Sequence, residues 1–162
     1  PIETEVEEPE KTGTDRLLCA IGARELKGSP CIVVMAGTAI TVDLIDAAGR
    51  FAGGAIAPGM SMCARAMHEA TACLPLVEPV RPDDPLGSNT VSAMQSGIFH
   101  FCRGGTEVLI ERLAAKAGDA PAVVCTGGDA ELLLDVDNNP KVQHVPLLIF
   151  EGMRAALTDT AV

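Results

Sequence analysis

Tryptophan and tyrosine are absent from this 162-residue sequence, and with only four phenylalanines the aromatic share is 2%. A chain so poor in flat rings has few platforms on which nucleic-acid bases could stack. Positive charge is also scarce: 12 Lys and Arg stand against 22 Asp and Glu, a formal net charge of -10 that repels a phosphate backbone. No nucleic-acid partner is expected. Half of the net charge sits on Glu3, Glu5, Glu7, Glu8 and Glu10. No apolar run reaches the roughly 20 residues that span a bilayer, and the acidic start lacks the basic-then-apolar order of a signal peptide. No membrane partner and a cytoplasmic location are expected. The six cysteines, Cys19, Cys31, Cys63, Cys73, Cys102 and Cys125, form no C-x-x-C pair, and His68, His100 and His144 stand apart from them and from each other. No protein-borne metal site is expected, and the cysteines read as reduced thiols buried in the core.

What is abundant is small and aliphatic. Hydrophobic residues make up 48% of the chain, enough to fill the core of one ordinary domain, and that core must be closely packed from Ala, Val, Ile and Leu. Residues 1–10 alternate apolar and acidic positions, which suits an exposed edge strand. A helical face follows over Asp15 to Leu26, ended by Gly28-Ser29-Pro30. Three strand-like runs come next, Cys31 to Met35, Ile40 to Ile45 and Phe51 to Ala57, the last two joined by a tight Asp-Ala-Ala-Gly turn; they predict an antiparallel meander. A helix opens at Pro58-Gly59 and runs to about Thr71, followed by a proline-punctuated loop. A long helical region then runs from Asn89 to Ala117, with a break expected at Gly104-Gly105. "AVVCT" and "VQHV" read as strands, with "GGDAELLL" between them and "PLLIFEGMRAAL" after them as helices. The order β-β-β-α-α-β-α-β-α predicts an α/β domain whose central mixed sheet joins a three-strand meander to parallel strands.

Four short segments are rich in Gly, Thr and Asp: "GTDR" (13–16), "AGTA" (36–39), "LGSNT" (86–90) and "TGGDA" (126–130). Each has a structural reading beside a chemical one. "AGTA" is a hairpin turn, or a seat where backbone N–H groups and the Thr38 hydroxyl meet a phosphate. "TGGDA" is a strand-to-helix turn capped by Asp129, or an anion or nucleotide site. In "GTDR", Asp15 caps a helix or takes a proton from a substrate hydroxyl, and Arg16 is a surface charge or a two-pronged grip on a carboxylate.

Taken in order and spacing, "PEKTGTDRLLCAIGA", "VVMAGTAITVDLIDAAGRFAGGAIAPGM", "TACLP", "LGSNTVSAMQSG", "VVCTGGDAELLL" and "PLLIFEGM" resemble the type III pantothenate kinases, from Pro9 onward over nearly the whole chain. The resemblance implies two RNase H-like domains of the actin and sugar-kinase superfamily, closing around ATP in a homodimer. Residues 1–28 would be the end of the first domain with a connecting helix, and 29–162 the second. It implies ATP-dependent phosphorylation of pantothenate at the entry to coenzyme A synthesis, with Mg2+ and a monovalent cation, K+ or NH4+. Asp15 would be the catalytic base. Gly13, Thr14 and Arg16 would line the pantothenate pocket, and Thr90 would reach into the partner subunit's pocket. Gly37 and Thr38 would belong to a phosphate loop, with Gly127 and Gly128 at the turn beside the adenosine.

Two features depart from that pattern. The family places an aspartate where this chain has Met35, and a thioether neither holds a hard cation nor orients a water. Asp43 and Asp46 follow on the next strand, with Asp43 expected to keep a place of its own. The first domain's Asp-and-Gly phosphate motif would precede Pro1. These departures keep a second reading open, a non-catalytic member that binds or regulates.

Overall fold

β-Branched and aliphatic residues form three successive strands, β1 (Cys31–Ala36), β2 (Ala39–Ile45) and β3 (Phe51–Pro58). They pair antiparallel in a meander, with Val33 opposite Asp43 and Ile40 opposite Ala57. The β2–β3 turn is closed by Asp46, whose Oδ1 accepts from the backbone N–H groups of Ala48 and Arg50 at 2.9 Å each. In the computed structural model, which describes residues 2–118, 120–136, 139 and 141–158, two further strands run parallel to β1: β4 (Ala122–Thr126) beside it and β5 (Val142–His144) beyond. The sheet order β3-β2-β1-β4-β5 is the mixed, RNase H-like arrangement expected from the sequence.

The pleat sorts the core into two layers. Ile32 and Val34 of β1, with Ile40, Val42 and Leu44 of β2, face α2 (Met60–Glu69), α3 (Thr90–Ala117) and α4 (Ala130–Leu134). Cys31 and Val33 of β1, with Ile45, Phe51 and Val124, face α1 (Thr14–Lys27) and α5 (Leu148–Thr158). Each fully buried aliphatic side chain contributes about 1.5–3 kcal/mol, so the small residues of this core act by number and by close approach. The α1–α5 crossing shows how close. A Cβ on Gly152 would lie 1.9 Å from the Leu18 carbonyl oxygen, and one on Gly22 would lie 2.7 Å from that of Leu148. Two backbones touch there, and only glycine fits.

The structure corrects several local expectations. The alternating segment at the start pairs only through a parallel bridge between Thr4 and Phe51, with Glu5 N–H donating to Phe51 O at 3.0 Å and Phe51 N–H to Glu3 O at 2.8 Å. β2 carries a β-bulge between Leu44 and Ile45, Gly53 of β3 has a positive φ of 94° with Val6 lying against it, and Pro9–Lys11 forms a 3-10 turn. α3 runs unbroken through Gly104-Gly105 for 28 residues, started by an Asn89–Ser92 capping box. The cysteines are not all buried: Cys73 is exposed and Cys63 half-buried. Among the described residues no helix is long and apolar enough to cross a membrane.

Candidate active site

Asp15, the second residue of α1, sits where the helix meets the β1–β2 turn. Its Oδ1 folds back to accept from the Arg16 N–H at 2.9 Å, and a Cβ at Gly13 would lie 2.5 Å from that oxygen. Gly13 therefore leaves the space that the Asp15 carboxylate occupies. Asp15 opens onto a cavity of about 460 Å³ together with Met35, Gly37, Thr38, Thr126 and Gly127. Three segments far apart in sequence thus meet: the start of α1, the β1–β2 turn and the β4–α4 turn.

Gly127 brings the third segment close. Its φ is 102°, and a Cβ there would lie 2.1 Å from the Ala36 carbonyl oxygen, which accepts from the Asp129 N–H at 3.1 Å. A side chain at 127 would both strain the backbone and prise β4 from β1. Gly37 has no such packing reason: a Cβ there would meet nothing within 4 Å. The turn is pinned instead by the Gly37 N–H to Ala39 O (3.1 Å) and the Gly59 N–H to Thr38 O (3.0 Å). The exposed Thr38 hydroxyl and the bare Gly37 form a ridge between the first cavity and a second, of about 300 Å³, lined by Ser61, Met62, Arg65 and Asp129.

Arg16 is not a free grip. Its Nε donates to Asp43 Oδ2 at 3.1 Å and its Nη2 to Oδ1, while the guanidinium stacks over Phe51 at 5.4 Å. Asp43 is fully buried and also accepts from Thr41 Oγ1 at 3.1 Å. Donating to the Asp43 carboxylate holds the Arg16 guanidinium charged even more firmly than usual, against the desolvation of its burial. Asp43 thus keeps the separate place expected of it and does not stand in for the missing carboxylate at Met35. Asp46 is committed to its turn and to Arg50.

Of the other residues singled out in sequence, Thr14 begins α1 and Thr90 begins α3, both exposed, and Gly128 follows Gly127; none of the three lines either cavity. Asp129 corrects an expectation. It makes no side-chain cap bond to α4, and its carboxylate faces the smaller cavity, where burial pushes its pKa above the usual carboxylate value. Asp129 and Arg65 are the charged groups that sequence reasoning did not place here. The Asp-Ala step of "TGGDA" was the only signal for the first, and nothing in the Ala-rich helix marked the second.

Among the described residues no group of three His, Cys, Asp or Glu could hold a metal ion by itself. Asp15 opens onto the larger cavity and Asp129 onto the smaller, so each offers a single carboxylate on its own side of the Gly37–Thr38 ridge. A monovalent cation at the turn would find oxygen on Thr38 and backbone carbonyls, while Met35 offers sulfur.

The sequence pattern of the type III pantothenate kinase family matches residues 1–112. A type III pantothenate kinase of Dehalococcoides mccartyi is 42% identical over 153 residues, which cover 94% of this chain and 59% of that protein. One from Akkermansia muciniphila is 40% identical over 149 residues, covering 91% and 61%. The chain thus spans about three-fifths of the length of these curated relatives. Among solved structures, a Campylobacter jejuni protein described as a Baf family transcriptional activator superposes with a TM-score of 0.68 at 26% identity, over 99% of this chain and 69% of that one.

Proposed function

Because the chain belongs to the type III pantothenate kinase family, we propose that it works in ATP-dependent phosphorylation of pantothenate, a step of coenzyme A synthesis. Residues 1–28 then close a first RNase H-like domain, and 29–162 form the second. The observation that carries this reading is the single cavity shared by Asp15, Gly37, Thr38 and Gly127.

Phosphoryl transfer asks a protein for positioning and charge compensation more than for covalent help. Asp15 accepts the proton of the attacking pantothenate hydroxyl, and Gly13 and Thr14 shape the helix start beside it. Arg16, locked by Asp43, lines neither cavity and acts on the pantothenate side by holding the start of α1 against β2. Gly37 and Thr38 offer a bare turn and a hydroxyl to the phosphates, while Gly127 and Gly128 border the adenosine. Mg2+ carried with the nucleotide offsets phosphate charge, with Asp129 the carboxylate nearest the turn on the second-cavity side and a K+ or NH4+ ion held by oxygens of the turn.

The homodimer rests on α3. Gly97, Gly104 and Gly105 leave bare patches where a Cβ would meet nothing within 4 Å, and Phe101 and Val108 beside them are 73% and 51% exposed. A second helix can approach closely on such a face, which would place Thr90 at the partner's pocket.

In the full-length protein Asp15→Asn is expected to lower kcat about 10²–10⁴-fold, with ATP affinity nearly unchanged, in a coupled assay of pantothenate phosphorylation. Full activity would remove Asp15 from the mechanism, since it does not cap α1 either: the N-cap is Gly13, with no side-chain cap bond. Nucleotide binding without turnover in the unaltered protein would assign it the non-catalytic role.

A further inference from the structure

The cysteines that look isolated in sequence are not all isolated in space. Cys63 on α2 and Cys102 on α3, 39 residues apart, place their sulfurs 3.9 Å from each other. Both thiols also point at one acceptor, the carbonyl oxygen of Pro58 at the end of β3, at 4.0 Å each. A thiol is a weak donor at best, and two sharing one distant oxygen lose little when both S–H groups are removed. Among the described residues no other pair of cysteines comes within bonding approach.

We propose that Cys63 and Cys102 form a modification site, a dithiol that exchanges with low-molecular-weight disulfides and closes into a reversible bond fixing α2 to α3. The sulfurs must close by about 2 Å to reach the S–S length of about 2.05 Å, a displacement that side-chain rotation and a slight helix shift can supply. Access sets the order of events. Cys102 is 5% exposed while Cys63 is half-buried, so Cys63 meets the reagent. Its thiolate attacks one sulfur of the small disulfide; that S–S bond breaks, and the departing thiolate takes up the proton that Cys63 lost. Cys102 then loses its proton to solvent and attacks the Cys63 sulfur of the mixed disulfide, forming the internal bond and expelling the second small thiolate, which is protonated in turn. Two protein thiols are oxidised by two electrons, and one disulfide is reduced to two thiols. Burial first, and then the neighbouring Cys63, push the Cys102 thiol up to about 12. Once Cys63 carries the mixed disulfide its share of that effect disappears, which favours the closing step.

α2 also carries Ser61, Met62 and Arg65, a wall of the smaller cavity, and its start is tied to the turn by the Gly59 N–H to Thr38 O bond. Oxidation therefore pins this wall, whatever the cavity binds.

The test is made in the full chain with the exposed Cys73 changed to Ser, incubated with oxidised glutathione and examined by intact mass and peptide mapping. The expected product has lost two hydrogens, carries no adduct, yields a cross-linked peptide joining Cys63 to Cys102, and reverts in dithiothreitol. Its melting temperature should exceed that of the reduced form by about 5–10 °C, because a bridge of this loop length restricts the unfolded chain. With Cys102→Ser the glutathione adduct should remain on Cys63. A lasting adduct on Cys63 with Cys102 intact, or two unreacted thiols in the folded protein, would overturn the proposal. A bridge that forms without raising the melting temperature would overturn the claim that it fixes α2 to α3.

Discussion

Asp129 is a carboxylate kept short of water, and its raised pKa has a consequence that can be measured. The folded protein keeps a proton on Asp129 at pH values where the unfolded chain has already lost it. Stability therefore falls as pH climbs from the ordinary carboxylate value of 3.8 through the raised one, and stays lower above it. Asp129→Asn should raise the melting temperature at pH 7 and leave it unchanged at pH 3; calorimetry at the two pH values decides. Met35 is the converse, an apolar group at a cavity edge where the family resemblance implies a carboxylate. Met35→Asp, in a protein with both domains, should make nucleotide binding more dependent on Mg2+ or K+ and raise pantothenate phosphorylation, at a stability cost of about 1–3 kcal/mol for the half-buried carboxylate. Titration calorimetry with and without each cation reads the first effect directly. An unchanged cation dependence would mean that Asp129 or Asp15 already supplies the charge.

Elements built of strongly patterned residues are legible in the sequence itself. The runs that form β1 and β2 are rich in β-branched residues, β3 follows them across a tight Asp-Ala-Ala-Gly turn, and the Asp15-to-Leu26 periodicity became α1 almost to the residue. Legibility failed where the local signal misled. The Gly104-Gly105 pair costs a helix about 1 kcal/mol per residue yet leaves α3 unbroken with nothing packed over it, and residues 2–8 alternate like a strand but among the described residues make only the bridge between Thr4 and Phe51. The site divided in the same way. Gly13, Asp15, Gly37 and Thr38 sit in recognisable segments, but the pairing of Arg16 with Asp43 crosses 27 positions and the closeness of Arg65 to the turn leaves no local trace. The α1–α5 crossing is the element most exposed to a single change. Gly152→Ala would press a methyl into the Leu18 carbonyl and should cost about 1–3 kcal/mol or more, read as a lower denaturation midpoint in urea. Since α1 carries Asp15, the same variant should lose catalytic rate beyond its loss of folded protein.

At the scale of the molecule the proposed homodimer rests on the outer face of α3. Phe101 is 73% exposed in the single chain, so Phe101→Asp costs the monomer's core little while placing a charge at the centre of the proposed contact. Sedimentation at micromolar concentration should show monomer for this variant and dimer for the parent; monomer for both would remove α3 from the assembly. The two sheet faces differ in a further respect, which follows from the glycine-to-carbonyl contact between α1 and α5. One of these helices precedes the whole sheet and the other follows it, so the layer over Cys31, Val33, Ile45 and Val124 is completed only by Leu148 and the residues after it. On a ribosome adding about 5–20 residues per second, that face waits on the order of ten seconds between the emergence of α1 and that of α5. A nascent chain halted between β4 and Leu148 therefore carries an apolar face covered by α1 alone, open to other chains until α5 arrives.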